Sequence, residues 1–143
     1  MSFGNTFEND LVRLLFNATA IANVADNAAS APLTNLYLSL HTGDPGEAGD
    51  QTTSEAAYTS YARVAVARTS GGWTVTNNQA VNAAEVAFPQ ATGGSATVTH
   101  VGIGTASSGA GKLIASFALT ASLAVSNLIT PRFAAEALTF SVD

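Results

Sequence analysis

The chain contains no cysteine. A disulfide framework, a thiol nucleophile and a cysteine-held zinc are therefore excluded outright. Charge is also scarce. Only 10% of the residues are Asp, Glu, Lys or Arg, against roughly 25% in a typical soluble domain. The basic residues are five, Arg13, Arg63, Arg68, Lys112 and Arg132, and they are scattered. Ten acidic residues leave a formal charge of −5 and a pI near 4.7. That balance argues against nucleic-acid binding, which needs clustered Lys and Arg to displace phosphate counterions. No apolar run approaches the roughly 20 residues of a membrane-spanning helix. The opening MSFGNTFEND has no basic segment, so no secretory leader is expected. Tryptophan occurs once and tyrosine three times, a small supply for a carbohydrate-binding surface.

What is present fits one compact domain spanning 143 residues. Hydrophobic residues make up 47% of the chain, many of them alanine. The expected core is real but light in side-chain volume, and the expected body thin and two-layered. The surface left by so few charges is built of Ser, Thr, Asn, Gln, Gly and Ala. Such a surface costs little to strip of water, which suits a protein packed against other subunits. A β protein merely rich in Ala and Thr, with no special partner, would share this composition. Without disulfides, persistence outside a cell calls for oligomerisation or docking.

Periodicity divides the chain into a helical start and a β remainder. Leu11, Leu14, Leu15, Ala18 and Ala22 recur at helical spacing. Asn5 is a candidate N-cap, with Glu8 three residues on. The spacing predicts a helix over about 6–17, extending to about 25 if the alanine-rich stretch joins it. From Thr34 the period drops to two. Leu36, Leu38 and Leu40 share one strand face, and Tyr37, Ser39 and His41 the other. Residues 42–57 read as loop, through Gly43, Asp44-Pro45-Gly46, Gly49 and a Thr-Thr-Ser run. Further strands are expected at 61–68, 73–76, 79–88, 96–105, 111–119, 121–126 and 132–142. Short strands at this spacing predict a mainly β chain. The expected fold is an antiparallel β-sandwich or jelly-roll-like domain, 34–143, preceded by the N-terminal α-helical segment, 5–29.

No pattern carries a reaction. The run Ala106-Ser-Ser-Gly-Ala-Gly-Lys112 resembles a phosphate-binding loop, but Ala106 replaces its first glycine and Leu113 its magnesium-binding Ser or Thr. A strand-like segment follows it, so the helix N-terminus that would hold an anion is missing. Asp44, Glu47, Asp50 and Glu55 crowd one loop near His41, yet the calcium-loop pattern is absent. The expectation is a solvated acidic loop, or one that meets an arginine of a neighbouring subunit. His41 and His100 are the only histidines, and no G-x-S-x-G elbow accompanies them. The expected chain has no catalytic residue, no cofactor and no metal.

A resemblance supplies what the chemistry does not. Leu36-Tyr-Leu-Ser-Leu-His-Thr-Gly-Asp-Pro-Gly-Glu-Ala-Gly49, Tyr61-Ala-Arg-Val64 and Ser70-Gly-Gly-Trp73 are similar to segments of a family of small virion proteins of tailed bacteriophages. Val101-Gly-Ile-Gly-Thr105 and Pro131-Arg-Phe-Ala-Ala-Glu-Ala-Leu-Thr139 continue the likeness. Members are usually labelled phage tail fibre proteins, and related small β-rich chains serve as capsid cement or decoration proteins. The resemblance implies a structural protein of the virion. A single short domain without repeats or a long trimerisation stem favours the capsid cement role, as a homotrimer on the major capsid protein. The alternative is a tail fibre or receptor-contacting module, with tail proteins or a host receptor as partner. In either case no membrane or nucleic acid is expected as partner. The candidate partner-contact residues are Asp44, Glu47 and Asp50 in the loop, with Arg63 and Arg68 as hydrogen-bonding anchors.

Overall fold

The structure, a computed structural model, describes residues 5–21 and 32–142. It is mainly antiparallel β with a single helix among the described residues, consistent with a β-sandwich. The helix α1 spans Asn5–Asn17. The strands are β1 (Asn35–His41), β2 (Val64–Ala67), β3 (Trp73–Thr76), β4 (Gln79–Asn82), β5 (Val86–Ala87), β6 (Ala96–Gly104), β7 (Leu113–Val125), β8 (Arg132–Phe133) and β9 (Thr139–Ser141). They form open sheets in the orders β2-β1-β6-β7, β3-β4-β9 and β5-β8. The chain divides into two compact units. Met1–Asn35, Val66–Val86 and Phe133–Asp143 make the first, and Leu36–Ala65 with Ala87–Arg132 make the second.

In the first unit, α1 packs on β3 and β4. The helix buries Val12 and Phe16, one turn apart, while Leu11, Leu14 and Leu15 stay half-buried. The expected stripe of leucines is thus rotated in the fold. The reason is the partner surface, where the ring of Phe16 meets Trp73 edge-on at 4.8 Å and Phe140 at 5.5 Å. Three aromatic rings fill more volume per residue than leucines, so they set the helix rotation. Ala18 takes a left-handed φ of 53° and ends the helix. Asn17 is therefore the last helical residue, and the predicted extension does not form at Ala18. Residues 19–21 are not helical either, and the rest of that extension, from Ala22 on, lies outside the described residues. The Arg68 guanidinium closes this end. It donates to the carbonyls of Leu14 and Leu15, both at 2.7 Å, and to Leu33 O at 2.8 Å. The last carbonyls of a helix lack intrahelical donors and carry the negative end of the dipole, which a cation there satisfies.

Two predicted strands split, and two merge. The stretch 79–88 breaks into β4 and β5 because Asn82, fully buried, turns the chain. Its side-chain amide donates to Ala84 O and Ala134 O, and its Oδ1 accepts from the Leu138 N–H. The same amide holds the turn, centred on a left-handed Glu136, that separates β8 from β9. Conversely β7 runs unbroken through 113–125, because four of its residues bulge outward between Ala118, paired with His100, and Leu123, paired with Val98.

In the second unit, β1 is a central strand. It pairs antiparallel with β6 in the register Leu38↔Ile103, Leu40↔Val101, His41↔His100. Leu36, Leu38, Leu40, Val98, Val101, Ile103 and Val125 are buried, with Tyr58 and Phe88. The opposite face of β1 is also covered, since Ser39 and His41 are fully buried. The loop 42–57 lies against that face and buries Gln51 and Ala56 there.

Candidate functional site

The loop 42–57 folds back over the polar face of β1, and a chain of side chains holds it there. The glycines of β6 make the space. A Cβ on Gly102 would lie 2.6 Å from His41 Nε2, and one on Gly104 would overlap the Gln51 side chain. With no side chain at either place, His41 and Gln51 lie flat on the sheet. His41 Nδ1 sits 2.8 Å from Thr53 O, and its Nε2 sits 2.8 Å from Ser39 Oγ. A carbonyl only accepts, so Nδ1 carries the proton and Nε2 accepts from the serine hydroxyl. Burial lowers the histidine pKa and keeps the ring neutral. Gln51, fully buried, accepts from the Ala106 N–H at 2.9 Å, while its backbone N–H donates to Ala110 O.

Arg63 and Glu55 complete the network. Glu55 forms an isolated bridge with His41 at the sheet end. The Arg63 guanidinium donates to both Glu55 oxygens, at 2.7 and 2.8 Å, and to Ala106 O and Gly109 O at 2.9 and 2.7 Å. The side chain of Arg63 is only 2% exposed. The two-pronged contact with Glu55 raises its pKa further. Tyr61 donates to Glu55 Oε1 and accepts the Leu40 N–H, and its burial raises the phenol pKa. One arginine thus ties together the start of β2, the end of the loop and the β6–β7 connection. That connection is the run 106–112 that resembles a phosphate loop. It is a turn with left-handed Gly109 and Gly111, and its carbonyls point at Arg63.

The predicted contact residues separate into two kinds. Asp44 and Glu47 stand exposed at the loop tip, where Asp44 Oδ1 accepts the Gly46 N–H. Asp50 shapes the loop locally. Its carboxylate accepts from the Thr52 hydroxyl and N–H, which lower its pKa. Arg63 and Arg68 do not reach outward as anchors. Their guanidinium groups face the protein's own carbonyls and, for Arg63, its own carboxylate. In sequence both looked like ends of a strand; what redirects them is the orphan carbonyls of a helix end and of a glycine turn. Ser39, Gln51 and Tyr61 are not among the contact residues expected from the sequence. The available signal was the pairing of small β6 glycines with polar residues in β1.

Between the loop tip and β7 lies an open groove of about 460 Å³, lined by Asp44, Gly46, Glu47 and Gly49 on one side and by Leu113 to Ser116 on the other. The Ser39–His41 pair has the distance of a nucleophile and its base, but both residues are sealed from solvent. Its chemistry is that of a buried hydrogen bond. Among the described residues, no group of three or more His, Asp or Glu is placed to hold a metal ion, and no helix is long and apolar enough to cross a membrane.

The arrangement is thus an internally stapled loop with an acidic tip beside a shallow groove. Compared with known proteins, the chain matches no curated protein. It does match, over residues 2–141, the model of a family described as podophage GP4 fiber I protein gp80. A match over nearly the whole chain makes this a member of that phage tail fibre family and a structural protein of the virion.

Proposed function

We propose that the chain is a structural subunit of a phage tail fibre, acting by binding alone and without a catalytic step. The observation that carries this reading is the family match across residues 2–141. The low-charge surface supports it, because an assembly built from such subunits desolvates few ions on contact. The subunit assembles as a cyclic homo-oligomer, most simply a trimer, and presents the loop 42–57 to its partner. Asp44 and Glu47 supply the exposed polar contacts, on a backbone that the Arg63–Glu55 pair holds rigid. Rigidity of this kind reduces the ordering cost of binding. The sequence reading favoured capsid cement; the family description supports the fibre. Copy number and position on purified particles discriminate between them. Quantitative electrophoresis should give a small multiple of the tail's symmetry, and antibody labelling should fall on the tail. A copy number that scales with the capsid lattice, with label spread over the head, would return the assignment to cement.

A further inference from the structure

The loop 42–57 is pinned to the sheet through a titratable side chain. His41 is the last residue of β1 and is fully buried. Its Nδ1–H donates to Thr53 O in the loop at 2.8 Å, and Gly102 leaves the sheet flat beneath the ring. A charged ring would find no uncommitted counter-charge there. Glu55 is the loop carboxylate that acts on it, but both Glu55 oxygens are engaged by Arg63, and Tyr61 donates to one of them. Asp50 is turned to its own Thr52 and Thr53. Arg63 and His100, which stands directly opposite His41 in the β1–β6 register, oppose a positive charge on the ring. Residues 113–125 of β7 bring no ionisable side chain. The base of the loop is clamped independently. Thr42 N–H donates to Ser54 O at 2.7 Å, Ala56 N–H donates to Leu40 O at 2.8 Å, and Arg63 holds Glu55. Ser54, at the end of the pinned segment, sits in the left-handed region with a φ of 55°, a strain that opening relieves.

We propose that His41 is an acid-operated latch on this loop: while neutral it holds residues 43–53 on the sheet, and on taking up a proton it releases them while the β1–β6 ladder stays paired. In the closed state Nε2 accepts from the Ser39 hydroxyl. A second ring proton turns Nε2 into a donor, so that hydroxyl must reverse inside a sealed space. Lifting the segment admits water to the ring without breaking the ladder, because His41 is where β1 ends. The Thr53 carbonyl and Glu55 favour the charged ring, but burial outweighs them, so the closed ring resists the proton. Once open, the ring titrates as an ordinary histidine, near 6.5. The open population therefore rises by up to about tenfold for each pH unit below about 6.5. Where the loop is the contact proposed above, Asp44 and Glu47 lose their fixed positions in acid. That consequence rests on the reading of the chain as a fibre subunit; the latch itself does not.

Amide hydrogen exchange on the full chain, followed by NMR and corrected for intrinsic rates, reads the latch. The Gln51 N–H, bonded to Ala110 O, reports on the loop, and the amides of β6 report on the ladder. Protection at Gln51 should fall about thirtyfold from about pH 8 to about pH 5, a window above the carboxylate range. The loss should be indifferent to low urea, the mark of a local opening, while the β6 amides stay better protected. Protection unchanged across this window would overturn the proposal. So would protection lost only together with the β6 amides and steeply with urea, which would mean global unfolding. His41→Gln should abolish the acid response and His100→Gln should keep it; the reverse result would move the latch to His100 and refute the assignment. If His41→Gln does not fold, the parent and His100→Gln decide between them. Copy number on the particle tests the fibre reading separately, so either can fail alone.

Discussion

Arg63 shows how a single residue can hold a loop, and what its loss would do. Four of its donor contacts end on Glu55, Ala106 and Gly109. Glu55→Ala would leave that guanidinium buried without its counter-charge. The expected destabilisation is about 3 kcal/mol, since breaking one side of a buried pair costs more than the pair itself contributes. Urea unfolding measures it, and a loss below about 1 kcal/mol would mean that water replaces the carboxylate. His41 makes the loop sensitive to acid. Its pKa in the fold is held below the ordinary value of about 6.5, by burial first, and by Arg63 and His100, against the opposing pull of Thr53 O and Glu55. The unfolded chain therefore takes up this proton more readily than the fold does. Stability from this residue is complete above about pH 6.5 and declines as pH falls below it. Melting curves of the parent and of His41→Gln, taken from pH 7 downward, should converge if the histidine is the cause.

At the scale of elements, the aromatic cluster of Phe16, Trp73 and Phe140 fastens α1 to β3, β4 and β9. Phe16→Ala should cost about 3–5 kcal/mol through the cavity it leaves, read as a lowered midpoint in chemical denaturation. Leu14→Asp should cost less, because Leu14 is only half-buried; equal losses would show that the leucine face is covered after all. This contrast marks what could be read before the fold was known. The helix, β1, β3 and β6 follow from local period and appear almost where predicted. The rotation of α1 does not, because it depends on which distant rings it meets. Nor do the breaks at Asn82 and Glu136, where a buried amide outweighs β propensity. The acidic loop tip was evident from composition. The inward turn of Arg63 and Arg68 was not, since carbonyls are the same in every sequence and only the fold gathers them.

For the whole molecule, the scarcity of charge predicts how assembly responds to solution conditions. Glu55–Arg63 is internal, and Asp44 and Glu47 are the exposed carboxylates of the loop tip. Association between copies should change little between low and high salt, because screening acts on exposed charges. Analytical ultracentrifugation across a salt series checks this, and a steep weakening with salt would point to ion pairs at the interface. The interleaving of the two units has a different consequence, one for the order of events during synthesis. The second unit is made of Leu36–Ala65 and Ala87–Arg132, and the first needs Phe133–Asp143 beyond both. The β1–β6 ladder joins residues that lie far apart along the chain, as His41 with His100, and such pairing is slow because long loops must close first. A ribosome that has made residues up to 120 has finished neither unit. Closing both units must therefore wait until nearly all of residues 36–142 have been made, and the strands made first stay without their partners until then.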